Sequence, residues 1–201
     1  MTAGPIYPQL KTPLCCHLDA EECRWVSPSK RIGKMLPEDS SLRWLFKYQV
    51  SEDWQGQLEA SLINLKVVKS DKYYDVIGYL NCCLYGKKIN HDVQQLEGKN
   101  RLQVNIHKKR GQSHTLDMLS SGERQMLIKL YLVKRWLEPG GIVMIDEPDH
   151  YLHPSMIPGF LAQIESQVEE KKGQLFITSH SQDVWNRYDT RDQRIKLGED
   201  L

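Results

Sequence analysis

Apolar residues recur every three or four positions in three stretches of the first half of the chain. Such spacing places the side chains on one face of a helix. The residues are Leu42, Leu45 and Phe46; Leu58, Leu62 and Leu65; and Val76, Ile77, Leu80 and Leu84. We therefore predict a helical region over 41–98, with its first helix capped near Ser40. An extended or partly disordered lead-in over 1–40 precedes it and carries five of the nine prolines.

The pattern changes in the second half, where short apolar runs alternate with longer stretches of helical spacing. Residues 101–107 alternate between apolar and polar, which predicts a strand. Ile142–Ile145 is a continuous apolar run, typical of a strand buried on both faces in a parallel sheet. The other predicted elements are a helix over 121–137, a helix capped by Ser155, and strands over 175–178 and 194–197. This alternation predicts an α/β fold in which helices flank a parallel sheet.

The composition is that of an ordinary globular protein. The chain has 201 residues, of which 40% are hydrophobic and 26% charged, enough for one domain with a core. A net charge of +1 gives no overall attraction to nucleic acid or to membranes. Every apolar run is shorter than the roughly 20 residues of a transmembrane helix. The N-terminus also lacks the pattern of a signal peptide. We therefore expect a cytoplasmic protein with no membrane partner.

The cysteines form an odd-numbered set that includes two adjacent pairs, which makes a poor disulfide framework. Free thiols in a reducing compartment are the favoured interpretation. A zinc site is an alternative, although no second ligand pair follows at the spacing of a zinc finger. Its ligands would come from Cys15, Cys16, His17 and Cys23, while Cys82 and Cys83 lie far along the chain.

Two adjacent carboxylates, Asp146 and Glu147, stand where the apolar run ends. Open α/β sheets bind their ligands at the carboxyl ends of the strands. Because neighbouring strand residues point to opposite sides, the two acids can serve different partners. One can hold Mg²⁺ and the other can activate a water molecule. A charged strand end followed by a proline turn is the plainer interpretation.

A serine–glycine turn leads directly into the predicted helix over 121–137. It contains Ser120, Ser121, Gly122 and Glu123. Free backbone N–H groups and the positive end of a helix favour a bound phosphate, and glycine lets a ligand approach the backbone. An ordinary capping box, with serine as the cap and Glu123 three residues later, explains the same residues without any ligand.

A histidine follows the second apolar strand after Thr178 and Ser179. If the two strands are neighbours, His180 lies at the same edge of the sheet as Asp146 and Glu147. An imidazole at that position can contact a terminal phosphate and an attacking water.

The order and spacing of these three features resemble the signature motif, Walker B strand and switch histidine of ABC-type ATPases. The Ser-Ser-Gly-Glu turn and the segment from Asp149 to Pro154 look most like the RecF/SMC/OLD-like branch, which acts in DNA repair and phage defence. The resemblance covers about residues 101–185. It implies a P-loop NTPase-like sheet, of which residues 99–201 are the C-terminal half, and the cofactors ATP and Mg²⁺.

The same resemblance implies a role for each candidate residue. Asp146 would bind Mg²⁺, Glu147 would be the catalytic base and His180 the switch. The turn from Ser120 to Glu123 would contact nucleotide held by the opposite subunit of a dimer. Asp149 would begin the D-loop.

A phosphate-binding loop, Gly-x-x-x-x-Gly-Lys-Ser/Thr, is missing from the sequence. Met35, Lys88 and Asn100 follow the three Gly-Lys pairs, where the motif requires Ser or Thr. We therefore expect ATP hydrolysis only if another chain supplies the loop. The expected assembly is a homo- or hetero-dimer with an ATPase chain.

Three alternatives remain open. The chain could be a degenerate subunit that regulates a partner ATPase, or a gene fragment. It could also be chiefly a DNA- or protein-binding module, because Lys108, Lys109 and Arg110 form a basic turn.

Overall fold

The computed structural model describes residues 15–18, 45–47, 57–96, 98–107, 111–189 and 193–195. Most of the predicted lead-in, the predicted cap near Ser40, Cys23 and the basic turn over 108–110 lie outside these residues. In chain order the elements are β1 (Cys15–Leu18), β2 (Leu45–Lys47), α1 (Gln57–Val68), α2 (Ser70–Asn81), β3 (Lys87–Leu96), β4 (Lys99–Ile106), β5 (Ser113–Thr115), α3 (Ser121–Trp136), β6 (Ile142–Asp146), α4 (Ile157–Glu170), β7 (Gln174–Thr178) and α5 (Gln182–Asp189).

The central sheet has four parallel strands in the order β2–β1–β6–β7. Helix α4 connects β6 to β7, as a parallel crossover requires. The predicted α/β fold, with a parallel sheet and flanking helices, is confirmed. Four residues of the predicted lead-in form β1, which lies between β2 and β6.

The prediction of a helix through Leu45 and Phe46 is wrong. These residues form β2 and pair in parallel with Cys15 and Cys16 of β1. Apolar residues at positions 42, 45 and 46 fit a helix face, but pairing with a neighbouring strand overrides so short a pattern. The predicted helices over residues 58–65 and from about residue 71 are confirmed as α1 and α2.

The parallel sheet buries only one face fully, so the prediction that β6 is buried on both faces is wrong. Val143 and Ile145 are buried, whereas Met144 is 40% exposed and Phe176, its partner on β7, is 56% exposed. Because side chains alternate along a strand, Val143 and Ile145 lie on one face of the sheet, and Met144 and Phe176 lie on the other. The core on the covered side includes Cys16, Leu18, Met126, Leu130, Val133, Phe160, Leu161 and Ile164.

A second sheet is antiparallel, in the order β3–β4–β5. It includes the predicted strand at residues 101–107 as β4, of which Leu102 and Val104 are fully buried. The prediction that Ser155 caps the next helix is wrong. Ser155 lies inside a short 3-10 turn that His153 caps, and α4 itself has no side-chain cap. Residues 194 and 195 are not in a strand, while residues 196 and 197 lie outside the described part.

A buried ion cluster joins α1 to β4 and to the 3-10 turn at Leu116–Met118. Glu59 is 1% exposed and accepts hydrogen bonds from the Leu102 N–H at 2.6 Å and from Arg101 Nε at 3.0 Å. Arg101 Nη2 also donates to Asp117 Oδ2 at 2.5 Å. Burial raises the pKa of Glu59, although the Leu102 N–H and Arg101 favour its charged form. The cluster holds the chain just before Ser120.

Candidate functional site

The two carboxylates and the histidine lie together at the carboxyl edge of the parallel sheet. Asp146 ends β6 and stands opposite Thr178, which ends β7. The Thr178 hydroxyl donates a hydrogen bond to Asp146 Oδ1. The other oxygen, Oδ2, has no hydrogen-bond partner among the described residues. The pairing of β6 with β7 therefore places one free carboxylate oxygen at this edge.

Glu147 lies just beyond β6, in a left-handed backbone conformation with φ of 45°. Its N–H donates to the Thr178 carbonyl at 2.9 Å, and its carbonyl accepts from the His150 N–H at 3.0 Å. The Glu147 carboxylate accepts a bond from the His180 N–H at 3.4 Å and lies 3.7 Å from His180 Nε2. A backbone turn, and not simple strand alternation, thus separates Glu147 from Asp146.

The loops after β6 and β7 are fixed to each other by a serine. Ser179 Oγ donates to Asp149 Oδ1 at 2.7 Å and accepts from the Ser181 N–H at 3.0 Å. The Ser179 carbonyl accepts from Trp185 Nε1 at 2.7 Å. Sequence reasoning missed the roles of Ser179 and Trp185. The Thr-Ser pair before His180 was the available signal. These contacts leave the His180 side chain 95% exposed toward solvent.

The serine–glycine turn caps α3 through a complete capping box. Ser120 Oγ accepts from the Glu123 N–H at 3.2 Å, and Glu123 Oε2 accepts from the Ser120 N–H at 2.8 Å. Lys87 Nζ adds bonds to both Glu123 oxygens at 2.7 and 2.8 Å. Burial raises the pKa of Glu123, but the bonds from Lys87 and Ser120 outweigh it, so the pKa is lowered overall.

Two backbone donors remain free in this turn. The N–H groups of Ser121 and Gly122 have no hydrogen-bond acceptor within the described part of the chain. They are the first two N–H groups of a 16-residue helix, where the helix dipole favours an anion. The capping box therefore occupies the side chains of Ser120 and Glu123 and leaves Ser121 and Gly122 as the donors that a phosphate could use.

Gly122 packs directly against the segment that follows Glu147. A Cβ added to Gly122 would lie 2.5 Å from the Tyr151 carbonyl oxygen and 3.5 Å from Leu152 Cα. Tyr151 has φ of 66°, and the Leu152 N–H donates to the Asp149 carbonyl at 2.9 Å. The structure thus joins the serine–glycine turn to the segment from Asp149 to Leu152 by backbone contact.

We expect Gly122→Ala to lower the free energy of unfolding by about 1–3 kcal/mol, because the added methyl group overlaps a backbone carbonyl. Chemical denaturation would measure the change. Gly78→Ala is the matched control, since Gly78 is also in a helix and has no atom within 4 Å of an added Cβ. That variant should be stabilised by up to about 1 kcal/mol. Equal effects of the two variants would contradict the close contact at Tyr151.

The residues at the sheet edge fit Mg²⁺. The free Asp146 oxygen, the Thr178 hydroxyl and the Glu147 carboxylate are hard oxygen donors, which Mg²⁺ prefers. Within the described residues, no group of three or more His, Cys, Asp or Glu side chains is arranged around a metal position. Asp146 would therefore be a direct or water-mediated ligand in a shell made mostly of water and phosphate, as is usual for Mg²⁺.

Neither Gly-Lys pair that the structure describes forms a phosphate loop. Gly86 has φ of 69° and turns the chain into β3, where Lys87 binds Glu123. Gly98 has φ of 74° and lies between β3 and β4, which pair in a hairpin. The pair at residues 33–34 lies outside the described residues.

The described cysteines, Cys15, Cys16, Cys82 and Cys83, are all free thiols. Burial raises the pKa of the Cys16 thiol to about 12, so this group is protonated at neutral pH. None of the helices described here combines the length and apolar character needed to cross a membrane.

The comparisons with known proteins place the chain in a family. Residues 28–184 match the family described as "AAA domain, putative AbiEii toxin, Type IV TA system". This match includes β6, β7, the serine–glycine turn, Asp146, Glu147 and His180. No curated protein matches the chain. Because the match extends over more than half of the sequence, the chain belongs to this family of AAA domains, in the P-loop NTPase superfamily of ATPases.

Proposed function

We propose that this chain is one half of an ABC-type ATP-hydrolysing site, completed in a dimer by a chain that carries a phosphate-binding loop. The observation that carries the proposal is the convergence of Asp146, Glu147 and His180 at one edge of the parallel sheet. In this proposal ATP and Mg²⁺ are the cofactors, and the reaction is the hydrolysis of ATP to ADP and phosphate.

The geometry supports a distinct role for each group. Glu147 is the proposed general base, because its carboxylate is near His180 and reaches solvent at the sheet edge. A base must lie within hydrogen-bonding reach of the water that it deprotonates. His180 donates its backbone N–H to Glu147, and its imidazole is 95% exposed, so that a phosphate can reach it. Asp146 offers its free oxygen to Mg²⁺, and Asp149 holds the loop after β7 through Ser179.

The proposed dimer rests on the division of phosphate ligands between chains. Ser121 and Gly122 offer two N–H donors, which is fewer than a phosphate loop provides. The triphosphate of ATP needs more donors and a cationic side chain to be held tightly. We therefore propose that Ser121 and Gly122 contact a nucleotide whose other phosphate contacts come from the partner.

We expect the isolated chain to bind ATP only weakly, with a dissociation constant well above the micromolar range, because it lacks the loop. Isothermal titration calorimetry with Mg-ATP would measure the affinity. The proposed function also requires that the tagged chain, purified from its native cells, brings with it a protein containing Gly-x-x-x-x-Gly-Lys-Ser/Thr. The complex should hydrolyse ATP faster than either component alone. Micromolar ATP binding by the isolated chain would contradict the proposed role of the partner.

The biological setting that we propose is DNA repair or phage defence. The RecF/SMC/OLD-like appearance of the motifs supports it, and the family description refers to a toxin–antitoxin system. DNA is a further candidate partner on the same grounds.

A non-catalytic regulatory or DNA- and protein-binding remnant is the second candidate. The capping box favours it, since Ser120 and Glu123 already satisfy each other without a ligand. The native complex separates the two candidates, because a remnant would bind its partner without adding ATP hydrolysis.

A further inference from the structure

The serine–glycine turn carries a negative charge at the position proposed to meet a phosphate. Glu123 is the third residue of α3, and its side chain is only 10% exposed. A carboxylate so close to the Ser121 and Gly122 N–H groups would repel an approaching anion in a partly buried setting. The capping box itself does not require this charge, because a glutamine can accept the same bond from the Ser120 N–H. The site therefore needs something that cancels the charge of Glu123.

Lys87, which lies outside the helix, supplies the positive charge that cancels that of Glu123. It is 36 residues away in sequence, and its ammonium group binds both Glu123 oxygens at 2.7 and 2.8 Å. The Lys87 side chain is 26% exposed, so the pair is partly removed from water. The start of β3 is held in place because the Gly86 carbonyl accepts from the His107 N–H at 2.9 Å. Lys87 is thus fixed by the antiparallel sheet and reaches to the end of α3.

We propose that Lys87 is the counter-charge of the serine–glycine turn: it neutralises Glu123, so that the N–H groups of Ser121 and Gly122 can donate hydrogen bonds to a phosphate. This inference rests on the proposed function, in which those two N–H groups contact nucleotide. Lys87 acts through Glu123 and is therefore a positioning residue. With the pair in place, the turn presents two N–H donors and no net side-chain charge. Without Lys87, it presents an unpaired carboxylate beside them.

The test measures KM and kcat for Mg-ATP in the native complex with the phosphate-loop chain. Lys87→Met should raise KM about tenfold, because the unpaired charge of Glu123 opposes nucleotide binding. Glu123→Gln in the same chain should remove that penalty. The decisive comparison is therefore Glu123→Gln with Lys87→Met/Glu123→Gln, which should agree within about twofold. This comparison remains informative even if Lys87→Met alone folds poorly.

Lys88→Met is the matched control, because Lys88 is the exposed neighbour of Lys87 on β3. It should leave KM unchanged. Thermal unfolding of every variant separates a loss of structure from a loss of charge balance. If Lys87 only supported the fold, Lys87→Met would lower the stability in both Glu123 backgrounds, and Glu123→Gln would not restore KM. That pattern would overturn the inference.

A second measurement does not depend on the partner. Inorganic pyrophosphate is titrated into the isolated chain while the amide resonances of Ser121 and Gly122 are followed by NMR. We expect shifts at millimolar pyrophosphate, weaker shifts in Lys87→Met and recovery in the double variant. Identical titrations in all three proteins would overturn the role of Lys87. If Glu147→Gln leaves the turnover of the complex unchanged, the proposed function fails, and the titration still decides whether Lys87 balances the charge.

Discussion

Glu147→Gln should reduce ATP hydrolysis by the native complex by at least about 100-fold, because glutamine cannot accept a proton from the attacking water. The substitution keeps the size of the side chain and can still accept a bond from the His180 N–H. The change should therefore affect kcat far more than KM for ATP. Steady-state hydrolysis and equilibrium nucleotide binding, measured on the same complex, would show this division.

Glu169→Gln provides the control for that result, since Glu169 is an exposed carboxylate on α4. Its removal should leave hydrolysis unchanged. If Glu147→Gln retained the wild-type turnover, Glu147 could not be the base. If binding and turnover were both lost together, the residue would be required for assembly of the site and not for its chemistry.

Arg101→Met should have the largest effect on stability, lowering the free energy of unfolding by about 3–5 kcal/mol. It leaves Glu59, which is 1% exposed, as a charge with no basic partner in the described cluster. The loss should also loosen the turn held by Asp117 just before Ser120. Hydrogen exchange at residues 116–121 should therefore become faster than in the wild-type protein, while denaturation measures the global effect.

Removing the charge of Glu59 as well should recover part of the lost free energy of unfolding. In Glu59→Gln/Arg101→Met the amide oxygen can still accept the Leu102 N–H, and no buried charge remains. Asp75→Asn is a control for ion pairs in general, because Asp75 pairs with Lys134 but is 65% exposed. It should cost less than about 1 kcal/mol. A similarly small cost for Arg101→Met would show that the cluster does not hold the fold together.

The carboxyl edge of the parallel sheet could be predicted from sequence because it depends on regular strands. The sequence predicts buried strands over residues 142–145 and 175–178, and their parallel pairing brings Asp146, Glu147 and His180 together. Similarly, α3 and α4 could be predicted from helical spacing over several turns. The local signal was strong at these places, and these elements form as predicted, although β6 is buried on one face only.

Other features could not be predicted because they depend on contacts between distant residues. Lys87 and Glu123 are 36 residues apart, and Arg101 and Glu59 are 42 apart. Neither pair leaves a local pattern. The short β2 was mistaken for a helix because three residues cannot define a period. The exposure of Met144 could not be read from an apolar run, since periodicity does not reveal what packs on each side of a sheet.

The backbone at Glu147 also constrains which residues can replace it over evolutionary time. With φ at 45°, glycine would fit without strain and asparagine with little, whereas valine, isoleucine or threonine would fit poorly. Glutamate here costs roughly 1 kcal/mol relative to glycine. Selection for stability alone would favour losing this carboxylate. Lineages that no longer need hydrolysis should therefore drift toward glycine or asparagine at this position, and a retained glutamate would mark those under pressure to keep the chemistry.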